Sequence, residues 1–128
     1  MQSIRILLAE DTPFNLKMAK TLITKAGYHV ETAQNGKEAV DIYTKAPADY
    51  DLIFMDVQMP EMDGIEATKK IREYGFHKIP IIAMTAHTDE SFKEKCFEAG
   101  MNDFISKPIR KEIVSEVVEK WVSDKENQ

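Results

Sequence analysis

The stretch DLIFMDVQMPEMDG, residues 51–64, decides how the surrounding sequence is interpreted. Its residues 52–55 are continuously apolar, which is typical of a strand covered on both faces of a parallel sheet. Asp56 follows this run directly, and Asp63 with Glu66 has the spacing of a helix capping box. The stretch therefore predicts a buried strand, a short loop and a helix, with a carboxylate where the strand ends.

The same succession of strand and helix extends to both sides of this stretch. Five short apolar runs alternate with five longer amphipathic stretches, a pattern typical of parallel strands joined by helical crossovers. The runs are 4–9, 28–32, 51–56, 79–84 and 103–106, of which the second is weak. Right-handed crossovers and a weak edge strand favour the flavodoxin-like order 2-1-3-4-5. We therefore expect an α/β fold with a doubly wound, five-stranded parallel sheet and helices on both faces.

The helices are predicted from apolar residues at helical spacing and from residues that start or stop a helix. Residues 13–26 begin with Pro13, stop before Gly27 and carry one apolar row, Leu16, Ala19, Ile23 and Ala26. Asn35 with Glu38 predicts the start of the second helix. The last two helices are expected at 88–99 and 109–122, on the rows Phe92, Cys96 and Ala99, and Ile109, Ile113, Val117 and Trp121. We expect one domain over residues 1–122 and a polar tail over 123–128.

Composition and charge argue against several classes of function. The chain has 17 basic and 22 acidic side chains and a net charge of −5, so it would repel the phosphates of nucleic acid. No apolar run approaches the roughly 18 residues that cross a bilayer, and residues 1–5 lead into a strand rather than a signal peptide. The single Cys96 excludes an internal disulfide and fits a reducing compartment. We therefore expect a cytoplasmic domain that contacts neither nucleic acid nor membrane directly.

Five polar residues stand at the carboxyl ends of predicted strands, where open parallel sheets bind their ligands. Glu10 and Asp11 end the first strand, Asp56 ends the third, Thr85 ends the fourth and Lys107 ends the fifth. In the order 2-1-3-4-5 these four strands are successive neighbours. We therefore expect the five side chains to share one cleft.

Three carboxylates in one cleft repel one another and attract a hard divalent cation. Mg²⁺ prefers oxygen ligands, and Lys107 would balance the remaining charge while it binds a phosphoryl oxygen. Such a set suits phosphoryl transfer, with Asp56 as the nucleophile because a carboxylate can form an acyl phosphate. Taken singly, Asp11 could be a turn residue, Thr85 a helix cap and Lys107 a solvated lysine. The prediction therefore rests on their conjunction.

Four segments carry a resemblance to a known family: ILLAED (6–11), DLIFMDVQMPEMDG (51–64), PIIAMTA (80–86) and AGMNDFISKP (99–108). Over about residues 4–121 the chain resembles CheY-like receiver domains of response regulators, most closely those of hybrid sensor histidine kinases. The resemblance implies that Asp56 takes a phosphoryl group from the phosphohistidine of a histidine kinase or phosphotransfer domain and loses it slowly by self-dephosphorylation. Two origins stay open, a stand-alone relay protein and the cytosolic part of a membrane-bound hybrid kinase.

The resemblance also implies which groups bind the ligands. Mg²⁺ would be bound directly by Asp11, Asp56 and the backbone carbonyl of Gln58, and through water by Glu10. The phosphoryl group would be contacted by Thr85 and Lys107. The family commonly has a cis peptide bond at the position of Lys107–Pro108.

Further roles in the resemblance concern switching and phosphate lifetime. Phe104 would turn inward when Thr85 moves toward the phosphate, which alters the face built from the last two helices and the last strand. Gln58 and His87, two residues beyond Asp56 and Thr85, would tune the lifetime of the phosphate. The simpler alternatives are that Phe104 is a core residue and that His87 is a surface residue at a helix start.

The first predicted helix has a second apolar row, Phe14, Met18 and Leu22, about 120° from the first row. We predict that the Phe14 side, together with Met18 and Pro108, docks the helical bundle of a histidine kinase or phosphotransfer domain. The alternative is that this row packs under the rim of the site as core. We expect a monomer or a weak dimer.

Three other functions fit parts of the sequence. A phosphatase of the haloacid dehalogenase class also uses an aspartate nucleophile with Mg²⁺, but it would want a second acid where Gln58 stands. A flavodoxin-type cofactor carrier needs a phosphate loop rich in glycine and hydroxyl groups, whereas residues 10–13 begin with two acids. A receiver-like interaction module that is never phosphorylated is the third alternative.

Overall fold

Strands and helices alternate along the chain as the sequence predicts. The computed structural model describes residues 3–86 and 89–126, and of residues 123–126 the backbone alone. Within them, the five strands are β1 (Arg5–Ala9), β2 (His29–Ala33), β3 (Leu52–Asp56), β4 (Ile81–Thr85) and β5 (Asp103–Ser106). The five α-helices are α1 (Pro13–Lys25), α2 (Gly36–Lys45), α3 (Gly64–Glu73), α4 (Glu90–Ala99) and α5 (Lys111–Glu126), and a short 3₁₀ helix (Pro47–Asp49) precedes β3. None of these described helices combines the length and the apolar character that a bilayer crossing requires.

The five strands form one parallel sheet in the predicted order, β2-β1-β3-β4-β5. The central strands β1, β3 and β4 are almost wholly buried, whereas β2 at the edge is half exposed, which explains its weak apolar pattern. The register pairs Asp56 with Met84 and Thr85 with Ser106. Because the strands are parallel, the residues at their carboxyl ends lie side by side along one edge of the sheet.

Helices cover both faces of the sheet, which confirms the predicted fold class. On one face α2, α3 and α4 pack against alternate strand residues such as Leu7 and Ile53. On the other face α1 and α5 cover the residues between them, such as Leu8 and Phe54. Complete burial of a side chain of this size contributes about 1.5–3 kcal/mol relative to exposure, so the sheet requires strands that are apolar on both faces.

Side-chain caps start three of the helices. Asn35, Asp63 and Asp89 each accept a hydrogen bond from the backbone N–H three residues later, at 2.8, 2.8 and 3.2 Å. The first two are the predicted caps. The third shows that the alternative role of Thr85 as the cap of the following helix is wrong, because Asp89 starts α4 and Thr85 is the last residue of β4.

Several element boundaries differ from the prediction by one to four residues, and one helix face differs as well. The fourth strand begins at Ile81 rather than at residue 79, because Pro80 has no N–H to donate to a strand ladder. The last helix begins at Lys111 rather than at residue 109 and continues to Glu126 rather than ending at residue 122, so part of the predicted polar tail is helical. Its most buried row is one residue further along than the predicted row: Val114, Val118 and Val122. Adjacent rows lie about 100° apart on a helix, so apolar spacing alone does not decide which one faces the sheet.

Candidate functional site

The candidate site lies at the edge of the sheet where the strands end. Glu10 and Asp11 follow β1, Asp56 and Thr85 are the last residues of β3 and β4, and Lys107 follows β5. The Lys107 N–H donates to the carbonyl of Thr85 at 2.9 Å, which joins the ends of the last two strands. Glu10, Asp56 and Thr85 are at most 4% exposed, whereas Asp11 and Lys107 are half-buried. The topology therefore brings all five residues of the expected cleft to one edge.

Glu10, Asp11 and Asp56 form a cluster of acids. One carboxylate oxygen from each lies within 4.8 Å of the corresponding oxygens of the other two. Their negative charges and the positive charge of Lys107 leave a net charge of about −2 when all four groups are ionised, which a divalent cation would neutralise. Because carboxylate oxygens are also the ligands that hard cations prefer, the donor set fits such a cation.

Lys107 bridges the two most buried acids. Its Nζ lies 3.0 Å from Oε1 of Glu10 and 3.0 Å from Oδ2 of Asp56. Burial by itself would lower the pKa of Lys107, but its hydrogen bonds with the two carboxylates and their charges outweigh that effect and raise the pKa. The ammonium group is therefore charged at neutral pH, and it points into the cleft where a phosphoryl oxygen would need a cationic partner.

The two buried acids, Glu10 and Asp56, have pKa values shifted in opposite directions. Burial raises the pKa of Asp56 to about 6, and the hydrogen bond and charge of Glu10 add to the rise, while Lys107 opposes it. Burial also acts to raise the pKa of Glu10, but hydrogen bonds with Thr12, Asp56 and Lys107 outweigh it and hold this pKa below its usual value. At mildly acidic pH the proton shared by this pair therefore resides mainly on Asp56.

The loop after β3 forms one wall of the cleft. The Gln58 N–H donates to Oδ1 of Asp56 at 3.1 Å, while the rest of Gln58 is exposed. A groove of about 530 Å³ begins here, lined among others by Asp11, Gln58 and Phe92. His87, the other residue expected to tune phosphate lifetime, lies outside the described residues.

Phe104 lies on β5, contacts α4 and is half-buried. The Nζ of Lys93 lies 4.3 Å from the centre of its ring, and the ring of Phe97 meets it edge-on with centroids 6.5 Å apart. The side chain also packs against the buried cluster under α2, α3 and α4. Phe104 therefore combines a core contact with an exposed edge, as a side chain that changes its orientation would need.

The second apolar row of α1 is exposed where it approaches the site. Phe14 is 71% exposed and Met18 is 49% exposed, so the alternative that both pack as core is wrong. Beside them lies a cavity of about 260 Å³, whose lining includes Met18, Leu22 and Pro108 on its apolar side and Lys107 of the site. The Lys107–Pro108 peptide bond is cis, as the resemblance implies. This apolar surface is thus continuous with the cleft.

Two contributions to the site are missing from the sequence prediction. The backbone N–H of Thr12 donates to Oε2 of Glu10 at 3.1 Å, a local turn contact that an acid two residues earlier could have suggested. The contact of Lys93 with Phe104 has no such signal. It joins α4 to β5, and only the tertiary fold brings these two residues together.

Comparison with known proteins gives consistent matches. The family model described as response regulator receiver domain matches residues 6–119. Hybrid signal transduction histidine kinase I of Dictyostelium discoideum is 45% identical over 121 residues, which cover 89% of this chain and 7% of that protein. Across the most similar curated relatives, the matched region spans 5–13% of their length.

Two solved structures of receiver domains are similar throughout. The receiver domain of sensor histidine kinase PA1611 from Pseudomonas aeruginosa PAO1, with a magnesium ion in its active site cleft, has a TM-score of 0.86 and 33% identity. That match covers 95% of this chain and 99% of the other. The receiver domain of Ssk1, crystallised with the histidine phosphotransfer protein Ypd1 of Saccharomyces cerevisiae, has a TM-score of 0.87 and 30% identity, with coverage of 96% and 91%.

Proposed function

Because the chain belongs to the family of response regulator receiver domains, we propose that it is phosphorylated on Asp56 by the phosphohistidine of a histidine kinase or phosphotransfer domain. It is a receiver domain of the kind found in hybrid histidine kinases. This family membership argues against the two alternatives of a phosphatase and a flavodoxin-type carrier. The observation that carries the proposal is the convergence of three carboxylates and one ammonium group at the carboxyl edge of the sheet. These are the groups that phosphoryl transfer to a carboxylate requires.

In the proposed reaction Asp56 is the nucleophile. A carboxylate oxygen of Asp56 attacks the phosphorus of the phosphohistidine, and the bond between phosphorus and the imidazole nitrogen breaks. The electron pair of that bond stays with the imidazole, which takes up a proton, and an acyl phosphate remains on Asp56. Since only the ionised carboxylate attacks, the pKa of about 6 leaves most Asp56 reactive at pH 7.

Lys107 and Thr85 stabilise the transferred group. In the unphosphorylated protein the ammonium of Lys107 is paired with Glu10 and Asp56. When Asp56 becomes an acyl phosphate, its bridging oxygen loses its negative charge, and Lys107 binds a charged phosphoryl oxygen instead. Thr85, at the end of the neighbouring strand, donates its hydroxyl to another phosphoryl oxygen.

The residues that would hold Mg²⁺ are Asp11, Asp56, the backbone carbonyl of Gln58 and, through water, Glu10. The three acid side chains offer oxygens within 4.8 Å of one another, and the related PA1611 receiver holds magnesium in its cleft. When bound, Mg²⁺ neutralises charge on the acids and on the phosphoryl oxygens. Glu10, Asp11 and Asp56 would hold such a cation at the carboxyl edge of the sheet.

The same site also loses its phosphoryl group slowly by hydrolysis. Water attacks the phosphorus of the acyl phosphate, which releases inorganic phosphate and restores the Asp56 carboxylate. We assign the tuning of the phosphate lifetime to Gln58, which is exposed at the rim, and to His87. The bound phosphate draws Thr85 toward it, and Phe104 turns inward into the space that this movement opens. The face of α4, β5 and α5 changes as a result.

The exposed row of α1 provides the surface for the phosphodonor. Phe14, Met18 and Pro108 lie beside the cleft, and the Ssk1 receiver bound to Ypd1 supports a histidine phosphotransfer protein as the partner class. Met18→Glu places a charge in this apolar surface. We expect it to slow transfer from a phosphotransfer domain about tenfold while labelling by acetyl phosphate stays unchanged. Equal rates from both donors in wild type and variant would exclude the docking role.

All the proposed site residues come from one chain, so a monomer or weak dimer is sufficient. The proposed unit is the domain over residues 1–122, whose last helix continues into the expected polar tail over residues 123–128 as far as Glu126. Its proposed donors act on the cytoplasmic side, so we place the domain there, either alone or as part of a longer kinase. Neither nucleic acid nor a membrane surface takes part in the proposed chemistry.

The test of the proposal is intact mass spectrometry after incubation with acetyl phosphate and Mg²⁺. We expect one phosphoryl group on the wild type and none on Asp56→Asn. Asp41→Asn, which changes an exposed acid on α2, is the matched control and should be labelled like the wild type. A wild type that takes no label would favour the unphosphorylated interaction module. Equal labelling of Asp56→Asn would overturn the assignment of Asp56.

A further inference from the structure

The loop between β3 and α3, residues 57–63, has a shape that its own sequence does not favour. Glu61 has a φ of 65°, in the left-handed region that residues other than glycine rarely adopt. The next residue, Met62, donates its N–H to the carbonyl of Pro60 at 2.7 Å, which closes a very tight turn. Such a backbone persists only where the surrounding structure holds it in place. The loop therefore needs a contact outside itself.

Gly36, the first residue of α2, provides that contact. Its N–H donates to the carbonyl oxygen of Met62 at 3.0 Å, so the loop satisfies one of the free N–H groups at the start of the helix. A Cβ atom at position 36 would overlap this same carbonyl oxygen and would lie 3.0 Å from the carbonyl oxygen of Asp63. Gly36 is buried, and both obstacles are backbone atoms. The contact can therefore form only because position 36 has no side chain.

The loop is fixed to the sheet at its start, and its end is tied back to that start. At its start, the Val57 N–H donates to the carbonyl of Met84 on β4 at 3.2 Å. At its end, the Gly64 N–H donates back to the carbonyl of Val57 at 3.0 Å. A displacement of Met62 must then be absorbed between these two anchors. The residues that can absorb it include Gln58, whose N–H contacts Asp56.

We propose that Gly36 is a positioning residue for the metal site, acting through the loop on the backbone carbonyl of Gln58. This inference rests on the proposed function, in which that carbonyl is a ligand of Mg²⁺. A side chain at position 36 pushes Met62 away, and the loop moves the carbonyl out of line with the acids. Mg²⁺ demands near-ideal octahedral geometry, and loss of a group that orients a ligand typically lowers metal affinity about 10- to 100-fold.

The test measures Mg²⁺ binding itself, by calorimetric titration of the full, unphosphorylated chain at a temperature where every variant is folded. We expect Gly36→Ala to bind Mg²⁺ about tenfold more weakly than the wild type. Hydrogen–deuterium exchange should also become faster in the segment 58–62, because Met62 has lost its fixed partner.

The control separates positioning from general loss of stability. Val118→Ala leaves a cavity in the opposite core layer, under α5, and destabilises the chain without touching the loop. We expect this variant to bind Mg²⁺ as tightly as the wild type. A matching loss of affinity in Val118→Ala, or unchanged affinity in Gly36→Ala, would overturn the inference. A wild type that binds no Mg²⁺ would instead contradict the proposed function.

A measurement on the wild type covers the case in which Gly36→Ala fails to fold. Coupling between two sites is reciprocal, so Mg²⁺ should stabilise the contact of Gly36 with Met62 as much as that contact stabilises Mg²⁺ binding. Saturation with Mg²⁺ is expected to slow exchange of the Gly36 amide about tenfold, followed by nuclear magnetic resonance. An unchanged exchange rate at saturating Mg²⁺ contradicts the inference.

Discussion

Asp56 is buried beside a second buried acid, and one ammonium group is shared between them. Burial and the neighbouring Glu10 raise its pKa to about 6, so the metal-free protein binds a proton here more tightly than the unfolded chain does. Protonation of Asp56 therefore favours the folded state. The stabilisation from this proton is complete below the ordinary pKa of an aspartate and is lost as the pH rises through about 6. Burial of the ionised Asp56 therefore lowers the free energy of unfolding at neutral pH.

This proton competes with Mg²⁺ for the same carboxylate. A pKa near 6 means that about nine-tenths of Asp56 is protonated at pH 5 and about one-tenth at pH 7. We therefore expect the Mg²⁺ affinity to rise about tenfold between pH 5 and pH 7, measured by calorimetric titration. Asp56→Asn removes the titrating group, and its weaker binding should vary much less with pH. An affinity that does not change over this range in the wild type would contradict the role of Asp56 as a ligand.

At the scale of secondary-structure elements, the sequence predicts the site better than it predicts the contacts between helices. Asp56 and Lys107 could be predicted because Asp56 ends one strand and Lys107 follows another, and strand order then determines which strand ends are neighbours. The core-facing row of α5 could not be predicted, because two adjacent apolar rows fit helical spacing equally well. The contact of Gly36 with Met62 joins residues 26 positions apart. Nothing local in either segment marks it.

The contact of α4 with β5 holds Phe104 in its present orientation. The ammonium of Lys93 lies over the ring, and the ring of Phe97 meets its edge. In the proposed switch Phe104 must leave these partners when it turns inward. A cation–π contact at a partly exposed site contributes about 0.5–1 kcal/mol. The contact therefore favours the unphosphorylated state.

We expect Lys93→Ala to shift this equilibrium toward the inward orientation of Phe104 about two- to fivefold. The orientation can be followed by the ring resonances of Phe104 while the phosphorylated fraction is varied with acetyl phosphate. Lys95→Ala, which removes an exposed lysine from the same helix, is the matched control and should behave like the wild type. If the two variants give the same populations, the contact with Lys93 does not influence the switch.

Across the whole molecule, the edge of the sheet at the carboxyl ends of the strands and the edge at their amino ends have different roles. The carboxyl edge carries the candidate site, and the amino edge is held together by Arg72 at the end of α3. The guanidinium of Arg72 donates to the carbonyls of Phe76 and Gly100 at 2.8 and 2.7 Å and to Oδ1 of Asn102 at 2.9 Å. The same Asn102 oxygen accepts the N–H of Ile81 at the start of β4. One side chain therefore joins the segments that lead into β4 and β5.

Removal of Arg72 should lower stability and leave the site intact. Arg72→Ala leaves at least two partly buried carbonyl groups without their donor, and we expect a loss of about 3 kcal/mol in the free energy of unfolding, measured with urea. Arg72→Lys should recover only part of it, because an ammonium group lacks the planar fork that reaches three acceptors at once. Lys70→Ala, at an exposed position of the same helix, is expected to change stability by less than about 0.5 kcal/mol.

Since Arg72 acts at the opposite edge of the sheet, folded Arg72→Ala should bind Mg²⁺ with wild-type affinity. A parallel loss of Mg²⁺ affinity would show that the two edges are coupled.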